Sequence, residues 1–271
     1  MFKKIAFGLS ALMICAAAVA ADLHPIVEVQ SEYLCGATAD GKWIKAEEAA
    51  KALPDETTYR VYGLTEAFGE ATGGRPKPSK DDVCSDVLAV SLSPKVEKGV
   101  IALAAPWNAL PRKPRVMDTA QQVYVEAVRD FLKTKGIEQP KVNIDNILRV
   151  DLDGDGEDEV LISATNYFSK DESLPMRSPA GSYSMVLLRR VVAGKVETQL
   201  VESEFHPKAY VRKEDSFDAP NAYKVIAILD LDGDGKLEVV VAWRYYEGEG
   251  TTIYRCDPER CAALLSVGCG A

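Results

Sequence analysis

The sequence predicts an α+β protein, mainly antiparallel β in its C-terminal half, with one long helix. Three observations carry this expectation. Beyond residue 142, apolar runs of strand length alternate with clusters of Gly, Asp and Pro that favour turns. One stretch, 118–135, carries an apolar stripe at helical spacing. A strand–acidic loop–strand unit occurs twice, at 147–162 and 226–241.

The chain opens on Lys3 and Lys4, followed by an apolar, Ala-rich run over 5–17 and then Ala18-Val19-Ala20, a small-residue cleavage pattern. Residues 1–21 are expected to be a signal peptide, which makes the protein periplasmic or secreted. The apolar run is short for a membrane anchor, and no later segment is long and apolar enough to span as a helix. Ile14 stands before Cys15 where lipidation would need a small residue.

Residues 22–110 read as an N-terminal mixed α/β region. Strands are expected over 33–38, 57–64, 83–92 and 100–105. A turn is expected at 39–42, and a short helix over 46–53 that stops at Pro54. The Gly-, Pro- and Lys-rich stretch 69–80 reads as a loop. Pro106, Pro111 and Pro114 mark a linker or extended crossing segment.

Residues 111–271 read as a helix plus β-rich domain. Asp118 is the expected helix cap, with Gln121 three residues on. Val123, Ala127, Val128, Phe131 and Leu132 form the stripe, and Gly136 ends it. Strands are then expected over 142–150, 160–167, 183–192, 196–201, 223–229, 239–246 and 251–255. Trp243 and Tyr245 alternate onto one face, which reads as core packing more readily than as an exposed sugar-binding face.

Composition narrows the function classes. The chain has 271 residues, 47% hydrophobic and 27% charged, which is enough apolar material for a real core. Its formal net charge is −9, and loss of Lys3 and Lys4 with the leader makes it more acidic. That balance argues against a nucleic-acid partner, which calls for a basic face. In an oxidising compartment the cysteines are expected to pair. Cys256 and Cys261 flank the turn-forming Asp-Pro-Glu-Arg, Cys35 and Cys84 are the next expected pair, and Cys269 is left over. Zinc is a poor reading, because there is no C-x-x-C and the histidines are His24 and His206 alone.

The repeated loops carry the chemistry. Both contain Asp-Leu-Asp-Gly-Asp-Gly, which places Asp151, Asp153 and Asp155 in one and Asp230, Asp232 and Asp234 in the other. Calcium takes six to eight oxygens at about 2.3–2.6 Å, and three Asp at alternate positions of a tight turn can converge on one ion. Gly156 and Gly235 follow where the chain must bend. The backbone carbonyls of Glu157 and Lys236 can add a ligand, and Glu159 and Glu238 can close each shell. Carboxylates about 5 Å apart repel by roughly 1–3 kcal/mol per pair, so such a loop favours a bound cation. Two calcium ions are expected.

These are not EF-hand loops. Position 12, where an EF-hand places a bidentate Glu, is Ile162 in one and Val241 in the other, and the flanks have β texture. The spacing D-x-D-x-D-G-x-x-D between two strands resembles the FG-GAP and VCBS repeats of integrin-α-like proteins. Glu159 and Glu238 replace the last Asp. The resemblance covers two stretches of the chain and implies partial β-propeller-like hairpins carrying calcium.

No G-x-S-x-G, H-E-x-x-H or phosphate loop is present, and His206 has no nearby Ser or Cys motif. The expected function is therefore an exported calcium-binding protein with structural sites. It would be a non-catalytic interaction or envelope-associated module with an unknown protein or glycan partner. The competing expectation is a secreted hydrolase of envelope polysaccharide or peptide in which calcium is structural.

Overall fold

Short apolar runs separated by turn residues fold as antiparallel strands, and here they do so in both the N-terminal and the C-terminal parts of the described residues. The computed structural model describes residues 22–168, 173–209 and 219–270, so the expected signal peptide lies outside the described residues. The N-terminal elements are β1 His24–Glu28, β2 Leu34–Ala39, β3 Lys42–Lys45, α1 Ala46–Ala52, β4 Glu56–Tyr62 and β5 Ala67–Gly74. Short pieces follow: β6 Lys77–Pro78, a 3-10 turn at Asp82–Cys84, β7 Leu88–Ala89, β8 Leu92–Ser93, β9 Ile101–Leu103 and β10 Arg115–Met117. Helix α2 spans Gln122–Thr134.

Two four-stranded meanders complete the chain. The first is β11 Ile144–Val150, β12 Glu159–Thr165, β13 Ser182–Val192 and β14 Lys195–His206. The second is β15 Ala222–Leu229, β16 Glu238–Tyr245, β17 Gly248–Cys256 and β18 Cys261–Gly270. The strands of each meander pair in chain order, and β10 adds to the edge of the first. The N-terminal sheet runs β3-β2-β1-β9-β4-β5-β8.

Side-chain alternation explains how these sheets stack. In the first meander Ile147, Ile162 and Leu187 face Val128 and Leu132 of α2. Their neighbours Leu148, Leu161, Val186 and Leu188 face Ile228, Val239 and Val241 of the second meander. The opposite face of the second meander, with Ala227, Leu229, Val240 and Ile253, packs on Ile26, Tyr62, Ile101 and Leu103 of the N-terminal sheet. That sheet's far face covers α1 through Ala49 and Leu53. The result is a stack of helix, three sheets and helix. Both faces of the middle sheets are covered, which is why strands such as β16 read as continuous apolar runs.

The expected fold class is corrected in three ways. Antiparallel β is not confined to the C-terminal half, since a seven-stranded sheet precedes it. Among the described residues there is no long helix: α2 has 13 residues and α1 has 7. Asp118 does not cap α2; its carboxylate accepts from the Ala120 N–H in a preceding turn, and the helix starts four residues later. The sheets do not close into a propeller, because they bury one another face to face in layers.

Strand β5 lies where a loop was expected, and the run 83–92 is broken into short pieces. No described helix is long and apolar enough to cross a membrane. Cys256 and Cys261 are bonded as expected, but Cys84 pairs with Cys269 and not with Cys35. Cys35 is buried inside β2, and burial pushes its thiol up to about 12.

Candidate metal centre

Each acidic loop is the turn of a hairpin whose last pair is set by register. Val150 pairs with Glu159, and Leu229 pairs with Glu238. The chain between them must reverse in eight residues. Gly154 and Gly156, and Gly233 and Gly235, supply the reversal with φ between 78° and 91°.

The side chains then fold back on their own backbone in the same pattern twice. Asp151 Oδ1 accepts from the Gly154 N–H at 2.7 Å and its Oδ2 from the Gly156 N–H at 3.1 Å. Asp230 does the same with Gly233 and Gly235, at 2.7 and 3.1 Å. Asp155 accepts from the Glu157 N–H, and Asp234 from the Lys236 N–H, both at 2.8 Å. Glu159 caps the Leu152 N–H at 2.8 Å, and Glu238 caps the Leu231 N–H at 2.9 Å. Glu in place of Asp is long enough to spend one oxygen on that cap and leave the other for the loop centre.

The two loops touch. The Leu237 N–H of the second donates to the Leu152 carbonyl of the first at 2.8 Å. The Pro-rich crossing segment fastens both. Arg112 donates from Nε to the Asp151 carbonyl at 2.7 Å, and from Nη2 to the Leu152 carbonyl at 3.2 Å and the Gly235 carbonyl at 2.7 Å. Trp107 donates from Nε1 to the Asp230 carbonyl at 2.9 Å, and its ring lies against Gly233. Thr38 Oγ1 reaches the Leu231 carbonyl. The loops therefore sit where all three layers of β meet.

In the first loop Asp151, Asp153 and Glu159 bring carboxylate oxygens within 4.8 Å of one another; in the second, Asp230, Asp232 and Asp234 do so. Asp155 and Glu238 lie in the same loops but outside these tightest triads. Burial raises the carboxyl pKa of Glu159 and Asp230; the neighbouring aspartates add to the rise, and at Glu159 the charge of Arg190 opposes it. Burial also pushes Glu238 up to about 7, although Arg255 pulls it down. Keeping such groups ionised calls for a positive charge beside them.

The two loops meet that demand differently. In the second, Arg255 Nη2 lies 2.7 Å from Asp232 Oδ2, 3.3 Å from Asp234 Oδ2 and 2.5 Å from Glu238 Oε1. In the first, the ion pairs are those of Arg115 and Arg149 with Asp158, outside the converging set. Among the described residues no Lys or Arg pairs with Asp151, Asp153, Asp155 or Glu159. A further group of ligating side chains, Asp81, Cys84 and Cys269, is accounted for by the disulfide between the two cysteines.

Arg112, Trp107 and Arg255 were not among the sequence-derived site residues. Their approach to the loops depends on tertiary packing and leaves no spacing signal. No protein-family model matches the chain, and neither a curated protein nor a solved structure matches it.

Proposed function

We propose that this is an exported, non-catalytic calcium-binding protein, an interaction or envelope-associated module, whose calcium stabilises the junction of its sheets. One observation carries the reading. Asp151, Asp153 and Glu159 converge within 4.8 Å, and no protein cation is paired to them among the described residues. Asp155 and the Glu157 carbonyl stand in the same turn and would supply further oxygens to a bound ion. An all-oxygen donor set without His or Cys favours a hard cation over zinc or copper, and a many-carboxylate loop favours calcium over magnesium. The likeness of the loop spacing to FG-GAP and VCBS repeats supports the same ion. Two cysteine pairs at bonding distance support an oxidising compartment.

The role follows from position. Arg112 and the Leu237–Leu152 hydrogen bond couple the loops to the crossing segment, so an ion that orders residues 151–159 also orders that junction. Titration calorimetry of calcium into chelator-treated protein tests the reading. Saturable heat that Asp153→Ala abolishes is expected. Absence of calcium heat in the folded wild type overturns it.

A further inference from the structure

We propose that Arg255 is a built-in cation that fills the second acidic loop. The wild-type chain then holds one calcium ion, at 151–159, and the second loop accepts an ion only when Arg255 is removed. The inference rests on the calcium reading of the first loop and adds to it a reason for unequal loops.

The geometry of Arg255 is that of a ligated cation. A single nitrogen, Nη2, lies within 3.3 Å of oxygens from Asp232, Asp234 and Glu238, and Nε adds a 3.0 Å bond to the same Glu238 oxygen. Asp232 and Glu238 side chains are 2% and 0% exposed, so these contacts are made away from solvent, where charge–charge attraction is strong. Trp43 closes the other side, with the guanidinium carbon 5.9 Å from its ring centroid. An ion entering this loop has to displace Arg255 from two buried carboxylates and from the indole.

The first meander supplies the comparison. Tyr254 pairs with Val239, which sets Arg255 opposite Glu238; Arg189 pairs with Val160, which sets Arg190 opposite Glu159. The same fold position therefore carries arginine in both repeats. Among the described residues Arg190 forms no ion pair with the acids of its loop, although its charge acts on Glu159 from nearby. It is 5% exposed, and its Nη2 donates to the Cys256 carbonyl at 3.2 Å, on the hairpin that the Cys256–Cys261 disulfide closes. One arginine is held by the neighbouring hairpin and leaves its acids to an ion, while the other supplies the charge itself.

Native mass spectrometry of the full chain with calcium as the probe reads the stoichiometry directly. The wild type is expected to hold one ion, Asp153→Ala none, and Arg255→Gln two. Adding Asp232→Ala to Arg255→Gln is expected to return the count to one. Two ions on the wild type, or one ion that Asp153→Ala leaves in place, overturns the inference while calcium binding stands. No ion on the wild type or on Arg255→Gln overturns the calcium reading and this inference with it. If Arg255→Gln does not fold, the wild-type count and the Asp153→Ala count still decide.

Discussion

Arg112 ties the two acidic loops together, and its removal is expected to lower stability measurably. Its guanidinium donates to three carbonyls on two loops: Asp151 and Leu152 on one, Gly235 on the other. Hydrogen bonds that involve a charged group contribute about 1.5–3 kcal/mol each when shielded from water. The Gly235 bond is exposed, and water replaces it cheaply; the other two are half-buried. Counting those two at the lower bound, Arg112→Ala is expected to cost about 3 kcal/mol. In a protein of this size that corresponds to a melting temperature lower by about 6–12 °C. Arg112→Lys keeps the charge but not the planar fork, so it is expected to recover less than half of the loss. Urea unfolding measures both, as a shift in midpoint at constant m-value. A loss below about 1 kcal/mol for Arg112→Ala refutes the claim that this residue fastens the loops together.

Three further outcomes are expected. Replacing Cys84 and Cys269 by Ala removes a covalent tie between the 3-10 turn and the last strand, and is expected to cost about 2–5 kcal/mol in oxidised protein, with no difference under full reduction. Gly250→Ala places a methyl 2.3 Å from the Trp243 ring, which lies across Gly250 and Gly268, so a loss of about 1–3 kcal/mol and a shift in Trp emission are expected. Burial raises the Asp145 carboxyl above its ordinary range against the pull of Lys224. A carboxyl whose pKa is raised by folding weakens the folded state once pH exceeds the unfolded value of about 3.9, and the penalty is relieved as pH falls through the folded pKa. Asp145→Asn is therefore expected to be the more stable protein at neutral pH, with the advantage fading in acid; equal unfolding midpoints at both pH values contradict this.

The sequence was most legible where a local pattern and the final packing agree. Both acidic hairpins were readable because Asp and Gly at fixed offsets dictate the turn before any tertiary contact forms. The stripe around Val128 and Leu132 likewise located α2, although Asp118 suggested an earlier start than its turn with Ala120 allows. Strand β5 was hidden by Gly69, Gly73 and Gly74, which look like loop residues. At Gly73 the missing side chain instead makes room for Tyr59 and Val90, which would lie 2.8 and 2.6 Å from a Cβ. Strand β18 was hidden in the same way by its small residues; at Gly268 and Gly270 the missing side chains admit Trp243 and Tyr245 across the sheet. The pairing of Cys84 with Cys269 joins residues 185 apart and is fixed only by how β18 lies along the N-terminal sheet. The correspondence of Arg190 with Arg255 was invisible because the β12–β13 connection is far longer than the β16–β17 turn. Equal places in the two meanders therefore fall at unequal sequence offsets.

Thermal unfolding of chelator-treated protein, with and without added calcium, decides whether the loop at 151–159 holds the ion. One site filled at a hundred times its dissociation constant adds about 2.7 kcal/mol, which raises the melting temperature by about 5–11 °C. That rise is expected in the wild type, and it is expected to disappear in Asp153→Ala. Superimposable wild-type curves with calcium and with chelator would contradict this.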